Sequence, residues 1–245
     1  MGTLDADARM TEPRALEVSG LRSGYGEAVI VREVSFDVRP GEIFALLGKN
    51  GMGKSTLLKT VMGYLPAQAG KVALFGEDIT GQPVHRVARR NIAYTPQERA
   101  LFQDLSVEQN LRLGLRDQKL FAPGIRRIGE IFPVLPGRMA QRAGTLSGGE
   151  QKMLLVARAL MSRPRLMLID EISEGLQPSV IDRLAQALRA EREESRTAIL
   201  LIEQNVKFAL AVADRYAVLK LGEIVDAGEV GAASLERHIT DQLTV

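Results

Sequence analysis

The sequence predicts an α/β protein with a parallel core sheet, an N-terminal antiparallel β-subdomain and an inserted helical subdomain. Three apolar runs, at 43–47, 166–169 and 198–202, carry the prediction of the core. Parallel strands are covered on both faces, so they are apolar throughout rather than alternating. The run at 43–47 leads into a glycine-rich loop and a helix, and the other two runs end in polar residues. This order is typical of strands that deliver functional groups to one edge of a sheet.

Composition excludes several classes of protein. The 245 residues are 45% hydrophobic and 25% charged, which is typical of a globular protein. The longest apolar runs have about a quarter of the ~20 residues that a membrane-spanning helix needs. The absence of cysteine excludes disulfides and zinc-thiolate sites and agrees with a cytoplasmic location. A net charge of +2, spread along the chain, argues against nucleic-acid binding, and His85 and His238 are predicted to be surface residues.

The N-terminal part comes next in chain order. Residues 1–14 are polar without an apolar core, which predicts a disordered leader rather than a secretory signal, followed by one domain over 15–245. Val34, Phe36 and Val38 alternate with polar residues, as in a half-buried strand, and predict antiparallel sheet within 15–41. After the run at 43–47, residues 54–62 are helix-forming.

The rest of the chain completes the core. Between the second and third apolar runs, Ile181, Leu184 and Leu188 recur at helical spacing, which predicts a crossover helix over 180–192. Residues 98–163 lack a strong strand signal and are predicted to form the helical subdomain, with loops near 121–124 and 133–144. Residues 15–97 and 164–245 then form the α/β core with its β-subdomain.

A phosphate-binding loop follows the first core strand. Its pattern is G-x-x-x-x-G-K-[ST], which places backbone N–H groups and a helix N-terminus around phosphate oxygens. Lys54 is expected to contact the β- and γ-phosphates of a bound nucleotide, and Ser55 to hold Mg²⁺. The motif by itself leaves kinases, GTPases, motors and transporter ATPases open. The predicted nucleotide contacts here are Gly48, Asn50, Gly51, Gly53, Lys54, Ser55 and Thr56.

An acidic pair, Asp170 and Glu171, ends the second core strand. Acids after a strand often only solvate a turn, but the phosphate loop favours a role in catalysis. We expect Asp170 to hold the Mg²⁺ ion and Glu171 to polarise the water that attacks the γ-phosphate.

A second anion-binding surface is predicted at Ser147, Gly148 and Gly149, which precede a helix over 152–160. A Ser-Gly-Gly helix start offers free N–H groups and a hydroxyl to an anion. The alternative is an ordinary helix cap. If both surfaces bind phosphate, the chain carries two such sites.

With these motifs in order over 16–228, the sequence resembles the ABC ATPase family, with Glu150 replacing a common Gln in the signature 146–151. The resemblance implies a P-loop NTPase (RecA-like) core and a head-to-tail dimer, in which each signature closes on ATP held by the other subunit. It implies that Tyr25 stacks on adenine, although Tyr25 could equally pack on the surface. It also implies that Gln97 links Mg²⁺ and water to a transmembrane partner, and that residues 173–177 form a dimer-contact loop.

The sequence departs from this family at three further positions. Gln204 stands where the family places a histidine that contacts the γ-phosphate, and a glutamine cannot shuttle a proton as imidazole does. We therefore assign Gln204 to catalysis only as the replacement of that histidine. Ile172 replaces a usual proline, and Gln177 replaces a usual aspartate.

The motifs at 48–54, 173–178 and 201–205 are similar to those of importers of branched-chain amino acids, and of their relatives for urea and short amides. The resemblance is to the shorter ATPase of an unlike pair, so a heterodimer is favoured and a homodimer stays open. It implies a cytoplasmic subunit on the inner face of the membrane, with permease partners and, indirectly, a solute-binding protein. One alternative is a subunit that binds ATP structurally while its partner hydrolyses. The other is a soluble ABC ATPase of DNA repair or translation, which usually has two cassettes, coiled coils or a basic surface.

Overall fold

The computed structural model describes residues 12–97, 101–115, 117–231 and 234–244. Of the predicted leader, residues 1–11 lie outside this part. The described residues form ten strands, which are β1 Leu16–Tyr25, β2 Ala28–Val38, β3 Ile43–Leu47, β4 Ala67–Leu74, β5 Glu77–Asp78, β6 Ile92–Thr95, β7 Leu166–Asp170, β8 Ala198–Glu203, β9 Arg215–Lys220 and β10 Glu223–Glu229. Their helices are α1 Lys54–Val61, α2 Val84–Ala88, α3 Val107–Leu113, α4 Phe121–Ile131, α5 Gly148–Met161, α6 Pro178–Ser195, α7 Val206–Val212 and α8 Leu235–Thr244.

A six-stranded sheet in the order β10-β9-β3-β8-β7-β6 forms the core. Strands β9, β3, β8, β7 and β6 are parallel, and β10 pairs antiparallel with β9. Every residue of β3, β7 and β8 is buried, which confirms the interpretation of the three apolar runs as core strands. Their carboxyl ends place the phosphate loop, the acidic pair and the 203–205 turn at the same edge.

A four-stranded antiparallel sheet, in the order β2-β1-β4-β5, lies beside the core and confirms the predicted antiparallel β-subdomain. Val34 and Val38 are buried in β2, and Phe36 stacks on Phe44 of β3 with ring centroids 5.4 Å apart. Successive side chains of a strand point to opposite faces of its sheet, so the alternating apolar residues of β2 place one face of this sheet against the core.

Helices α3, α4 and α5 lie between β6 and β7, as the predicted helical insertion requires. The prediction of a loop at 121–124 was wrong, because α4 begins at Phe121. Pro123 falls in the first turn, where a helix leaves its N–H groups without internal partners, so the missing proline N–H costs little there. Gly124 packs on Met161, whose Sδ would lie 2.7 Å from an added Cβ. The boundary of the insertion at 98–163 stays a prediction.

A buried charged contact joins the insertion to the core. Arg127 of α4 pairs with Glu191 of α6, and Thr197 donates its hydroxyl to the same carboxylate at 2.6 Å. Glu191 is 0% exposed. Along the described ranges, no helix is long and apolar enough to cross a membrane.

Candidate nucleotide site

The phosphate loop is held from inside by its own lysine. Lys54, at the start of α1, donates from Nζ to the carbonyl oxygens of Gly48 at 2.7 Å and Lys49 at 2.9 Å. Gly51 and Gly53 have φ values of 82° and 101°, a region that glycine enters without steric cost. An added Cβ at Gly51 would meet nothing within 4 Å, so this side of Gly51 faces open space. Asn50 is exposed, whereas Thr56 is buried in α1.

Three predicted catalytic side chains meet beside this loop. The Nζ of Lys54 lies 2.9 Å from Oε1 of Glu171, and both side chains are buried. The Nε2 of Gln97 donates to Oε2 of Glu171 at 2.6 Å and reaches Glu174 at 3.3 Å. Glu171 has a φ of 48°, a left-handed backbone conformation that costs a residue with a Cβ about 1–3 kcal/mol. The cluster therefore contains both an acid and a cation, in a strained and largely buried setting.

Asp170 offers an oxygen that suits a divalent cation. Its carboxylate is 2% exposed and interacts with the hydroxyl of Ser55, and its Oδ1 is buried without a hydrogen-bond partner in the structure. The pKa of Asp170 is raised to about 6, chiefly by burial and also by the charge of Glu171, while Ser55 and Lys54 oppose the shift. A buried carboxylate oxygen beside a hydroxyl is the hard donor set that Mg²⁺ prefers. The residues present thus fit the metal.

The predicted second anion-binding surface forms the N-terminus of α5. Ser147 caps the helix by accepting from the backbone N–H of Glu150, whose carboxylate accepts from the Ser147 N–H at 2.9 Å. Arg138 pairs with Glu150 at 3.0 Å, and the Ser147 hydrogen bonds hold the pKa of Glu150 below its usual range. Gly148 is exposed and Gly149 is half-buried against Val180. The contacts of Ser147 are thus made within the signature, rather than with the phosphate loop of its own chain.

Two predicted residues stand at the rim of the site. Tyr25 is 49% exposed at the end of β1, and its hydroxyl accepts from Lys59 of α1 at 3.5 Å, so its ring lies on the side of the phosphate-loop helix. Gln204 is exposed in the turn after β8. His85 and His238 are also exposed, as expected.

Two residues near the site had no role predicted from sequence. Lys152 of α5 donates from Nζ to the carbonyl oxygens of Gln97 and Glu171, each at 3.3 Å. Glu203, at the end of β8, accepts from both the N–H and the hydroxyl of Ser173. The sequence offered one signal for each residue. Lys152 stands one residue after the signature, and Glu203 is an acid at the end of an apolar run.

Comparison with known proteins places this geometry in a family. Residues 31–174 match the family model described as ABC transporter. The high-affinity branched-chain amino acid transport ATP-binding protein BraG of Pseudomonas aeruginosa is 43% identical over 213 residues, covering 86% of this chain and 91% of the relative. The probable branched-chain amino acid transport ATP-binding protein LivF of Archaeoglobus fulgidus is 36% identical, covering 85% and 89%.

Solved structures agree on the fold. A nucleotide-free ATP-binding cassette from an ABC transporter superposes with a TM-score of 0.81 at 24% identity, covering 95% of this chain and 96% of the other. The ADP conformation of another such cassette gives 0.81 at 25% identity, covering 94% and 95%. The predicted P-loop NTPase fold is thereby confirmed. The chain belongs to the ABC transporter family, as an ATP-binding subunit that hydrolyses ATP.

Proposed function

We propose that this chain energises an importer of branched-chain or other hydrophobic amino acids, through ATP-driven closure of a head-to-tail dimer. The observation that carries the ATPase site is the buried cluster in which Lys54, Glu171 and Gln97 lie within hydrogen-bonding distance. The amino-acid cargo is supported by the names of two relatives, BraG and LivF. The solute itself would be recognised by the membrane subunits and their solute-binding protein.

The proposed chemistry divides among the residues of the site. The N–H groups of the phosphate loop and Lys54 hold the phosphates of ATP, and Asp170 with Ser55 holds Mg²⁺. When bound, Mg²⁺ supplies positive charge that stabilises the developing charge on the transferred phosphoryl group. Glu171 orients the attacking water and accepts its proton, and the side-chain amide of Gln97 holds the Glu171 carboxylate in place. Tyr25 stacks on the adenine ring.

The signature completes the site in a second subunit. Ser147, Gly148 and Gly149 present N–H groups at the start of a 14-residue helix, where the helix dipole favours an anion. We assign them to the nucleotide held by the partner ATPase, with a heterodimer preferred over a homodimer. Gln97 and the neighbouring helical insertion then transmit closure to the permease subunits, on the cytoplasmic face of the membrane.

Gln204 favours a second candidate function. It is exposed at the sheet edge and has a neutral amide where the family has histidine, so this site could bind ATP structurally while the partner site hydrolyses. Against this candidate stands Glu171, because a purely structural site does not require a buried acid beside Lys54. For the cargo, an importer of urea or short amides is the corresponding alternative.

The test is Mg-ATP hydrolysis and oligomeric state, measured for the wild type, Glu171→Gln and the exposed control Glu229→Gln, alone and with the partner ATPase. We expect Glu171→Gln to lower turnover by on the order of 100-fold or more and to trap an ATP-dependent dimer, because the base is lost and binding is kept. Glu229→Gln should match the wild type. Unchanged turnover in Glu171→Gln would establish the structural candidate. Uptake of leucine compared with urea, in vesicles containing the permease, decides the cargo.

A further inference from the structure

Glu203 is a buried carboxylate at the end of β8 that the proposed chemistry does not use. It is 2% exposed, and its two oxygens accept from Ser173, with 3.1 Å from the N–H to Oε1 and 2.8 Å from the hydroxyl to Oε2. The backbone N–H of Asn205 donates to the same carboxylate. These donors are neutral, and burial raises the pKa of Glu203 above its usual value, with the charge of Glu171 adding to the shift. Burying an acid among neutral donors costs free energy, so we expect Glu203 to have a function that offsets this cost.

The contacts of Glu203 join three functional segments. Its backbone carbonyl accepts from the N–H of Gly48, the first residue of the phosphate loop, at 3.2 Å. Its side chain holds Ser173, the first residue of the predicted dimer-contact loop 173–177. The same side chain caps the turn that presents Gln204, the next residue in the chain. One residue therefore contacts the loop that binds phosphate, the loop proposed to meet the partner, and the turn proposed to face the γ-phosphate.

We propose that Glu203 is a positioning residue, which fixes the dimer-contact loop and the Gln204 turn relative to the phosphate loop. Closure of the partner on residues 173–177 would then shift Gln204 and Glu171 together, since Ser173 lies two residues after Glu171. The inference rests on the proposed head-to-tail ATPase and assigns a coupling residue to it. Glu203 does not touch the reacting atoms in this assignment.

The experiment compares Glu203→Gln, Ser173→Ala and the double variant with the wild type, all with the partner ATPase. A glutamine at 203 keeps the shape but removes the negative charge and one of the two acceptor oxygens, which weakens the hydrogen bonds from Ser173 and Asn205. We expect kcat to fall roughly 10-fold to 100-fold, because small displacements of positioned groups are costly, while the Kd of Mg-ATP for the single chain stays within about twofold. The double variant should be no slower than the slower single variant, as for residues that act through one contact.

The matched control is Glu42→Gln. Glu42 is also buried, at 5% exposure, and also has a raised pKa from burial, but it precedes β3 and binds Arg215 and the N–H of Arg39 at the opposite edge of the sheet. It should lower stability without lowering kcat. If Glu203→Gln behaves as Glu42→Gln does, or if the single effects multiply in the double variant, the inference is overturned.

Hydrogen exchange separates this inference from the proposed function. In the single chain, Glu203→Gln should accelerate exchange at the N–H groups of Ser173 and Asn205, whereas Glu42→Gln should leave exchange at these two positions unchanged. If the wild type shows neither turnover nor an ATP-dependent dimer, the proposed function fails, while faster exchange still supports the positioning contact. Unchanged exchange at Ser173 and Asn205 would overturn the inference whatever the turnover.

Discussion

Lys152 connects the helical insertion to the catalytic cluster through a single side chain. It lies in the second turn of α5, and its ammonium group donates to the carbonyl oxygens of Gln97 and Glu171. These two residues also bond to each other through their side chains. A charged donor to carbonyl oxygens makes a stronger hydrogen bond than a neutral donor does. We therefore expect a movement of α5 to displace the segments that carry the amide and the acid.

Replacing Lys152 with methionine should uncouple these loops from α5. We expect Lys152→Met to lower kcat about tenfold through loss of positioning, with the Kd of Mg-ATP nearly unchanged. Steady-state ATPase assays and nucleotide titration measure the two quantities. Lys71→Met, at an exposed position of β4, is the matched control and should keep wild-type values. A parallel loss of ATP affinity in Lys152→Met would contradict a role limited to positioning.

The residues of the site were predictable where a motif fixes their spacing. The phosphate loop and the acidic pair follow apolar runs, and the parallel sheet brings Lys54 to Glu171 because the strands end at one edge. Lys152 and Glu203 were not assigned, because their contacts join segments far apart in the chain. Many of those contacts are to backbone groups, which any residue type can offer. The roles of the site residues stay predictions.

At the scale of elements, the contact between α4 and α6 differs from an ordinary apolar seam. Glu191 is fully buried and bonded to Arg127 and Thr197, and Arg127 also reaches the hydroxyl of Ser195 at 3.2 Å. A buried ion pair often adds little net stability, yet removing one partner leaves an uncompensated charge. The insertion is thereby fixed to the core at a defined point.

Arg127→Met should lower the free energy of unfolding by about 3–5 kcal/mol, because Glu191 would stay buried without its cation. The exposed pair of Arg32 and Glu223, 4.0 Å apart, provides the control. Glu223→Gln should cost no more than about 1 kcal/mol. Urea denaturation measures both, and the double variant Arg127→Met with Glu191→Met should recover much of the loss. A cost below about 1 kcal/mol for Arg127→Met would show that this contact does not hold the seam.

Elements with a strong periodic pattern were predicted well, and short ones were not. Strand β3 matches its apolar run, and the crossover helix was predicted over 180–192 and is longer, at Pro178–Ser195. Strand β6 has four residues, with Tyr94 half-buried, and was not predicted. Its place at the edge of the core sheet depends on pairing with β7, which no local pattern encodes. The loop expected at 121–124 failed because a proline in the first turn also suits a helix.

For the whole molecule, the two predicted phosphate surfaces lie on different parts of the chain. The phosphate loop begins α1 at the core sheet, whereas the signature begins α5 in the helical insertion. A polar side chain of each surface hydrogen-bonds to its own segment of the chain. Lys54 donates to a carbonyl oxygen of the phosphate loop, and Ser147 bonds to Glu150. This separation supports the proposal that a second ATPase subunit supplies the missing half of each site.

The absence of cysteine from the sequence allows a direct test of this arrangement. Lys49→Cys and Thr145→Cys lie at exposed positions beside the two surfaces, each placed in a Glu171→Gln background. With Mg-ATP, a short bismaleimide should join the two variants to each other, or each to a cysteine introduced at the facing surface of the partner ATPase, because a head-to-tail dimer brings unlike surfaces together. Gel electrophoresis separates and quantifies the cross-linked dimers. Preferential cross-linking between two copies of Lys49→Cys would indicate a head-to-head arrangement. As a control, adding Lys54→Ala should abolish the ATP dependence of cross-linking.

The left-handed backbone at Glu171 also has an evolutionary consequence. Glycine or asparagine would adopt a φ of 48° at lower cost than glutamate, so both would relieve strain while removing the carboxylate. Among random variants at this position, selection for folded protein and selection for transport would therefore enrich different residues. A library sorted only by expression level would drift away from the proposed catalytic acid. Under the proposed function, a glutamate at this position is a compromise that favours ATP turnover over stability.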